Sequence, residues 1–261
     1  MSSVLSNAAF GDDPQRWPLP PASTPHELWL RAVVAGGQGR YGSALADVAG
    51  VLRLQRGGGS VLSLAHSTRA SFLRQLGWHD RARSWDGRAL ACAGSDVEAC
   101  ADALIGLAAD ALGVGRFAAS ARALDRVGEL LTDSAPARLP VRLAWVSSEL
   151  AMARGDGASA VGHAQRAVDL AASLGSVRHA VKSDVILAAA LCSAGDVERS
   201  RHVADDALRA SERHGMIPLR WALACLLADI GSATHSAEVV VGIRDESADT
   251  VRSRGGVWAL R

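Results

Sequence analysis

Small and apolar side chains recur along this chain in columns that keep a fixed distance from six glycines. These are Gly39, Gly77, Gly115, Gly155, Gly195 and Gly231, separated by 38, 38, 40, 40 and 36 residues. Seven residues before each stands a small side chain: Ala32, Ala70, Ala108, Ser148, Ala188 and Ala224. Five after each stands another: Ala44, Ala82, Ser120, Ala160, Ser200 and Ser236. Four before come Ala35, Leu73, Ala111, Ala151, Leu191 and Leu227, and twelve after come Val51, Ala89, Val127, Ala167, Ala207 and Ile243. A recurrence of this length marks a stacked helical array, in which one helix pair cannot bury its own apolar face and its neighbours complete the core. The glycine is expected to end the first helix of each pair in a left-handed backbone, which residues with a Cβ tolerate poorly. The small columns then let two antiparallel helices approach closely.

Local signals agree with that layout. Thr24-Pro25-His26-Glu27 reads as a capping box with proline at the first helical position, and Ser95-Asp96-Val97-Glu98 as a second capping box. Gly175 and Gly215 stand where second helices should stop. Arg56-Gly57-Gly58-Gly59-Ser60 is expected to be a flexible joint, and Pro136 to Pro140 brackets another. Residues 1–22, with Pro14, Pro18, Pro20 and Pro21, read as an extended, mobile segment, 23–254 as the helical array and 255–261 as a tail. Val257-Trp258 is apolar for a tail and is expected to fold back on the last unit.

The turn segments Gly39-Arg40-Tyr41-Gly42-Ser43-Ala44, Gly115-Arg116-Phe117-Ala118-Ala119-Ser120 and Gly155-Asp156-Gly157-Ala158-Ser159-Ala160, with the small residues seven positions upstream, resemble the tetratricopeptide repeat family. The resemblance covers about Thr24 to Ser253. It implies an all-α fold, a right-handed solenoid of about six antiparallel helix pairs. The period exceeds the family's roughly 34 residues, and its proline after the second helix is mostly missing. Longer units of this kind are similar to those of bacterial regulatory tetratricopeptide proteins.

Composition fits a helical, cytoplasmic protein. Apolar residues make up 49% and aromatics only 4% of 261 residues, a mixture that favours helices over strands. The balance of 28 basic against 27 acidic residues argues against direct nucleic-acid binding. Lys182 is the one lysine, a bias that fits a GC-rich bacterial genome. Cys92, Cys100, Cys192 and Cys225 form no CxxC pair and are too sparse for a disulfide framework. Met1 to Phe10 lacks the pattern of a secretory signal, and no apolar run is long enough for a membrane span.

Catalytic and cofactor patterns fail on context. Gly37-Gln38-Gly39-Arg40-Tyr41-Gly42 satisfies GxGxxG, but its preceding residues are helical in pattern where a dinucleotide site needs a strand. The eight histidines form no HExxH and no zinc spacing with cysteine. Cys92 and Cys100 flank one turn and could approach, although small helix-end residues explain them. Asp205-Asp206 and Asp245-Glu246 diverge on a helix and read as solvated surface. The chain is therefore expected to be no enzyme and to carry no cofactor or metal.

What remains is binding. The family's groove positions lie thirteen, ten, six and three residues before the turn glycine. They carry here Trp29, Val33, Arg74, Asp102, Ile105, Leu112, Arg142, Trp145, Glu149, Met152, Lys182, Val185 and Trp221. Three of seven tryptophans share one column, which fits an anchor site for an amphipathic helix or apolar peptide. The same column could instead turn into the core between helices. The leading expectation is a scaffold or adaptor that presents an apolar groove to a protein or peptide partner. The alternatives are a regulatory sensor of a small peptide or metabolite and a homo-oligomer joined through the last unit and Trp258.

Overall fold

A computed structural model describes residues 2–55, 57–132 and 135–259. Arg56 of the glycine joint, Met1 of the first segment and residues 260–261 of the tail lie outside the described residues. Among the described residues the chain is all-helical, with no strand. The helices are α1 Ser2–Phe10, α2 Pro25–Gly37, α3 Tyr41–Leu54, α4 Ser60–Gln75, α5 His79–Cys92, α6 Val97–Gly113 and α7 Phe117–Leu130. They continue as α8 Arg138–Ala153, α9 Gly157–Leu174, α10 Val177–Ser193, α11 Val197–Arg213, α12 Ile217–Ile230 and α13 Ala237–Ser253. Each helix packs on the next in the chain. In addition α2, α4, α6, α8, α10 and α12 lie side by side in one row.

The glycine columns explain how the chain turns. All six glycines adopt φ between +72° and +89°, the left-handed region that a Cβ disfavours. Five of the turns close with a hydrogen bond from the residue after the glycine to the carbonyl four residues before it, as from Arg40 to Ala35 at 2.8 Å and from Asp196 to Leu191 at 3.0 Å. The six small residues upstream, and the first five downstream, are fully buried. At two of the three serines among them the hydroxyl is satisfied across the helix pair: Ser148 donates to the Ala160 carbonyl at 2.8 Å and Ser200 to that of Ala188 at 2.7 Å, whereas the buried Ser120 hydroxyl has no partner among the described residues. The last turn departs from the column. Here α13 starts only after Ser236, which is exposed and caps the helix through the Val239 amide.

Several local expectations shift. The Thr24–Glu27 capping box forms with both reciprocal bonds, whereas α6 is capped by Asp96, and Glu98 turns to Arg138 instead. Asp205, read as solvated surface, is buried and accepts from the Ser232 hydroxyl and the Ala233 amide, so it ties down the long last turn. No helix among the described residues is long and apolar enough to cross a membrane.

The two ends of the row meet. Tyr41, Ala44 and Phe72 share one apolar cluster with Val251, Ile217 and Trp258. The Gly42 amide donates to the Arg254 carbonyl at 2.9 Å, and the Arg254 guanidinium donates to the Gln38 carbonyl at 2.8 Å. Beyond α13 the chain runs across to the end of α4, where the Ala259 amide reaches the Leu76 carbonyl and the Trp78 indole reaches the Val257 carbonyl, both at 2.8 Å. Trp258 thus packs on the last unit as expected, with its ring 4.3 Å from that of Trp221, and also joins the last helices to the first.

The first segment differs from the sequence reading. Its prolines forbid a helix only from Pro14 on, and the preceding Ser2–Phe10, which contains no proline or glycine, is helical. The proline-rich stretch itself is fixed to α2. Gln38 donates to the carbonyls of Pro14 and Arg16, and the Arg40 guanidinium lies 4.0 Å from the centre of the Trp17 ring.

Candidate functional site

The inner face of the row is built around α1. Leu5, Ala8 and Ala9 are buried in one apolar cluster with Trp29, Leu30, Val33, Val34 and Leu64, so a short helix of small residues lies on α2 and reaches α10, with Leu64 of α4 beside it. At its end Phe10 sits between helices far apart in sequence. Its ring is 5.6 Å from that of Trp29 on α2 and 6.2 Å from that of His179 on α10. The Arg138 guanidinium, at the start of α8, lies 5.5 Å from the ring centre, within cation–π range. His179 is itself stacked on Trp145 at 5.4 Å and 22°. Its Nδ1 meets the Ser176 hydroxyl at 2.8 Å. Burial, helped by Arg178, Arg138 and Arg142, holds its pKa well below the usual histidine range, so the ring is neutral and packs as an aromatic. The Val177 amide donates to the Gly11 carbonyl at 3.0 Å and pins the end of α1 to the start of α10. Beside α1 a cavity of about 460 Å³ remains, lined in part by Phe10, Trp29, Leu64, Glu98, Arg138 and His179.

Two buried ion networks stiffen the walls. Arg138 donates to both Glu98 and Asp102, and Arg142 pairs with Asp102 as well. Burial, together with the Arg74 and Arg178 guanidiniums, lowers the Arg142 pKa to about 10, still charged at neutral pH. In the second network Arg74 bridges Asp86 on α5 and Asp110 on α6. Both carboxylates are fully buried, and Asp86 Oδ1 and Asp110 Oδ2 find no other hydrogen-bond donor. Burial pushes the Asp86 pKa up to about 7 against the pull of Arg74, and raises that of Asp110 too. One guanidinium cannot neutralise two buried carboxylates, so the pair retains a proton well above the ordinary carboxylate range. Gly106 makes this possible, because a Cβ there would lie 2.3 Å from Asp86 Oδ2.

The thirteen residues expected at the groove fall into three sets. Trp29, Val33, Trp145 and Trp221 sit along the row of even-numbered helices, and each of the three tryptophans meets a partner about one period ahead. The Trp29 indole donates to Thr68 at 2.9 Å and that of Trp145 to Ser183 at 2.8 Å, while Trp221 meets Trp258. Residue Trp258 takes the place that a further helix would fill. A second set, Ile105, Leu112, Met152 and Val185, packs into apolar clusters between helices. The third, Arg74, Asp102, Arg142, Glu149 and Lys182, forms ion pairs, the last two with each other at 3.6 Å.

Sequence reasoning missed Phe10, His179, Arg138 and the Asp86–Asp110 pair. Phe10 carried one usable signal, since it is one of only three phenylalanines and ends an Ala-Ala-Phe run. The others lie outside the family's groove columns, and nothing local marks them.

The arrangement offers aromatic faces, a guanidinium over an aromatic site, and carboxylates already committed to arginines. Among the described residues no three histidine, cysteine, aspartate or glutamate side chains come together so as to hold a metal ion, and none of the four cysteines is in a disulfide. Compared with known proteins, the chain matches no family model and no curated protein.

Proposed function

We propose that this chain is a non-enzymatic interaction module: a right-handed α-solenoid of six antiparallel helix pairs, of the tetratricopeptide kind, whose inner face receives a helical segment of a partner protein. The observation that carries this reading is α1. A helix already lies on the inner face, with Phe10 held by Trp29, His179 and Arg138 from α2, α10 and α8. Aromatic and arginine side chains are the residues that anchor protein interfaces. A cytoplasmic setting accords with four cysteines that are not joined in disulfides. The test is crosslinking mass spectrometry in native lysate, comparing the wild type with Trp145→Ala. A partner whose links fall on α8 and α10 and are lost in a folded Trp145→Ala chain supports the module. Links confined to the odd-numbered helices, or turnover of a defined substrate by the pure protein, would overturn it.

One observation favours a second reading, a sensor of a small ligand. The cavity of about 460 Å³ beside α1 is within the size range of small-molecule sites. Hydrogen exchange across a panel of metabolites, read at α1 and α4, separates the two: protection by a small molecule without any partner favours the sensor.

A further inference from the structure

We infer that α1 is a self-supplied occupant of this site, and that a partner helix with small residues on one face and a terminal phenylalanine competes with it for the inner face. The inference rests on the interaction-module reading and names the class of partner. The recognition pattern is written in α1 itself. Leu5, Ala8 and Ala9 stand at i, i+3 and i+4, one stripe of the helix, and all three are buried. Phe10 then enters a socket whose three walls come from α2, α8 and α10. Small residues let the helix lie close, and an aromatic ring under Arg138 gains a cation–π contact that an aliphatic anchor lacks.

The present occupant is a weak one. Its first turn carries no acidic residue and its last no basic one, so neither end complements the helix dipole. It also leaves a cavity of about 460 Å³ unfilled at its side, so a longer or bulkier helix has room to gain contacts that α1 does not make.

The tether allows release. The stretch after α1 is anchored at Pro14 and Arg16 by Gln38, which leaves Gly11, Asp12 and Asp13 as the joint. Gly11 is needed for the tight reversal, because a Cβ would lie 1.9 Å from Asn7 Oδ1, and the Asn7 amide in turn donates to Asp12 at 2.7 Å. Rotation about these residues frees α1 at the loss of the Val177 amide's bond to the Gly11 carbonyl, and leaves the segment anchored at Pro14 and Arg16 in place.

The experiment is fluorescence anisotropy with a labelled synthetic peptide of residues 2–12 and the full chain. In the wild type the peptide competes with a tethered copy of itself at an effective concentration of roughly millimolar. In Leu5→Asp the chain's own α1 is undocked. We expect Leu5→Asp to bind the peptide at least tenfold more tightly than the wild type, and a peptide carrying Phe10→Ala to lose at least tenfold. Should Leu5→Asp fail to fold, Phe10→Ala in the chain takes its place with the same outcomes expected. Equal binding by wild type and variant, no saturable binding by a folded variant, or indifference to the peptide's phenylalanine would overturn the inference. So would a concentration-dependent wild-type dimer that exchanges α1, which would assign the site to a second copy. A negative peptide result beside intact partner links to α8 and α10 removes only the role of α1 and leaves the interaction module standing.

Discussion

Replacing Gly106 with alanine sets helix propensity against packing. Gly106 lies inside α6, and alanine there would raise intrinsic helix stability by roughly 1 kcal/mol. The structure opposes this gain. The new Cβ would lie 2.3 Å from Asp86 Oδ2 and 2.4 Å from its Cγ, with no rotamer change open to a fully buried side chain held by Arg74. Arg74 also donates to the Gly106 carbonyl at 3.4 Å and to Asp110 at 2.9 Å, so moving Asp86 disturbs the whole set. Breaking a buried ion pair costs about 3–5 kcal/mol. Set against the propensity gain, a net destabilisation of about 2–4 kcal/mol is expected. Gly162 is the internal control: it lies inside α9, where an added Cβ would meet nothing within 4 Å. Gly162→Ala is expected to stabilise by about 0.5–1 kcal/mol. Urea unfolding followed by circular dichroism measures both. If Gly106→Ala raises the midpoint as Gly162→Ala does, the buried triad is not packed against α6 and the reasoning fails.

The same triad makes stability depend on pH. The Asp86 pKa is raised to about 7, so its contribution is fully present below the ordinary carboxylate range and is lost as pH rises through 7. Between pH 5 and 8 the wild type should lose stability relative to Asp86→Asn, at up to about 1.4 kcal/mol per pH unit; parallel profiles in chemical denaturation would contradict it. Phe10→Ala should speed amide exchange in α1 while leaving α8 and α10 protected, because the ring anchors one helix and not the stack; slowed or unchanged exchange in α1 would show that it carries no anchor. Trp258→Ala should lower stability by about 1–3 kcal/mol and speed exchange at Gly42, whose amide is bound to the Arg254 carbonyl; an unchanged Gly42 would mean that the closure does not depend on the tail.

The helical plan was legible because it rests on local chemistry. A left-handed glycine and small residues at fixed offsets dictate a turn and a close helix pair wherever they occur, so Gly39, Ala32 and Ala44 announce their roles from sequence alone. The closure of the row was not legible. It depends on small rotations between successive helices that add up along the stack, and no residue encodes the sum. This is why Trp258 could be assigned to the last unit but not to α4. The groove columns say nothing of the environments of their residues. Arg74 and Asp102 belong to those columns, yet their partners Asp86, Asp110 and Arg138 come from outside them. Residues 1–22 misled through proline content, which speaks for Pro14 to Pro21 and says nothing of Ser2–Phe10.

Photo-crosslinking from position 10 tests the central claim, that the inner face holds a helix supplied by the chain itself. With p-benzoylphenylalanine in place of Phe10 in the full chain, mass spectrometry should find intramolecular links to the segments that carry Trp29 and His179, whose rings lie 5.6 and 6.2 Å from that of Phe10. Links only to other molecules, or only to α3, α5, α7, α9 or α11, would contradict it.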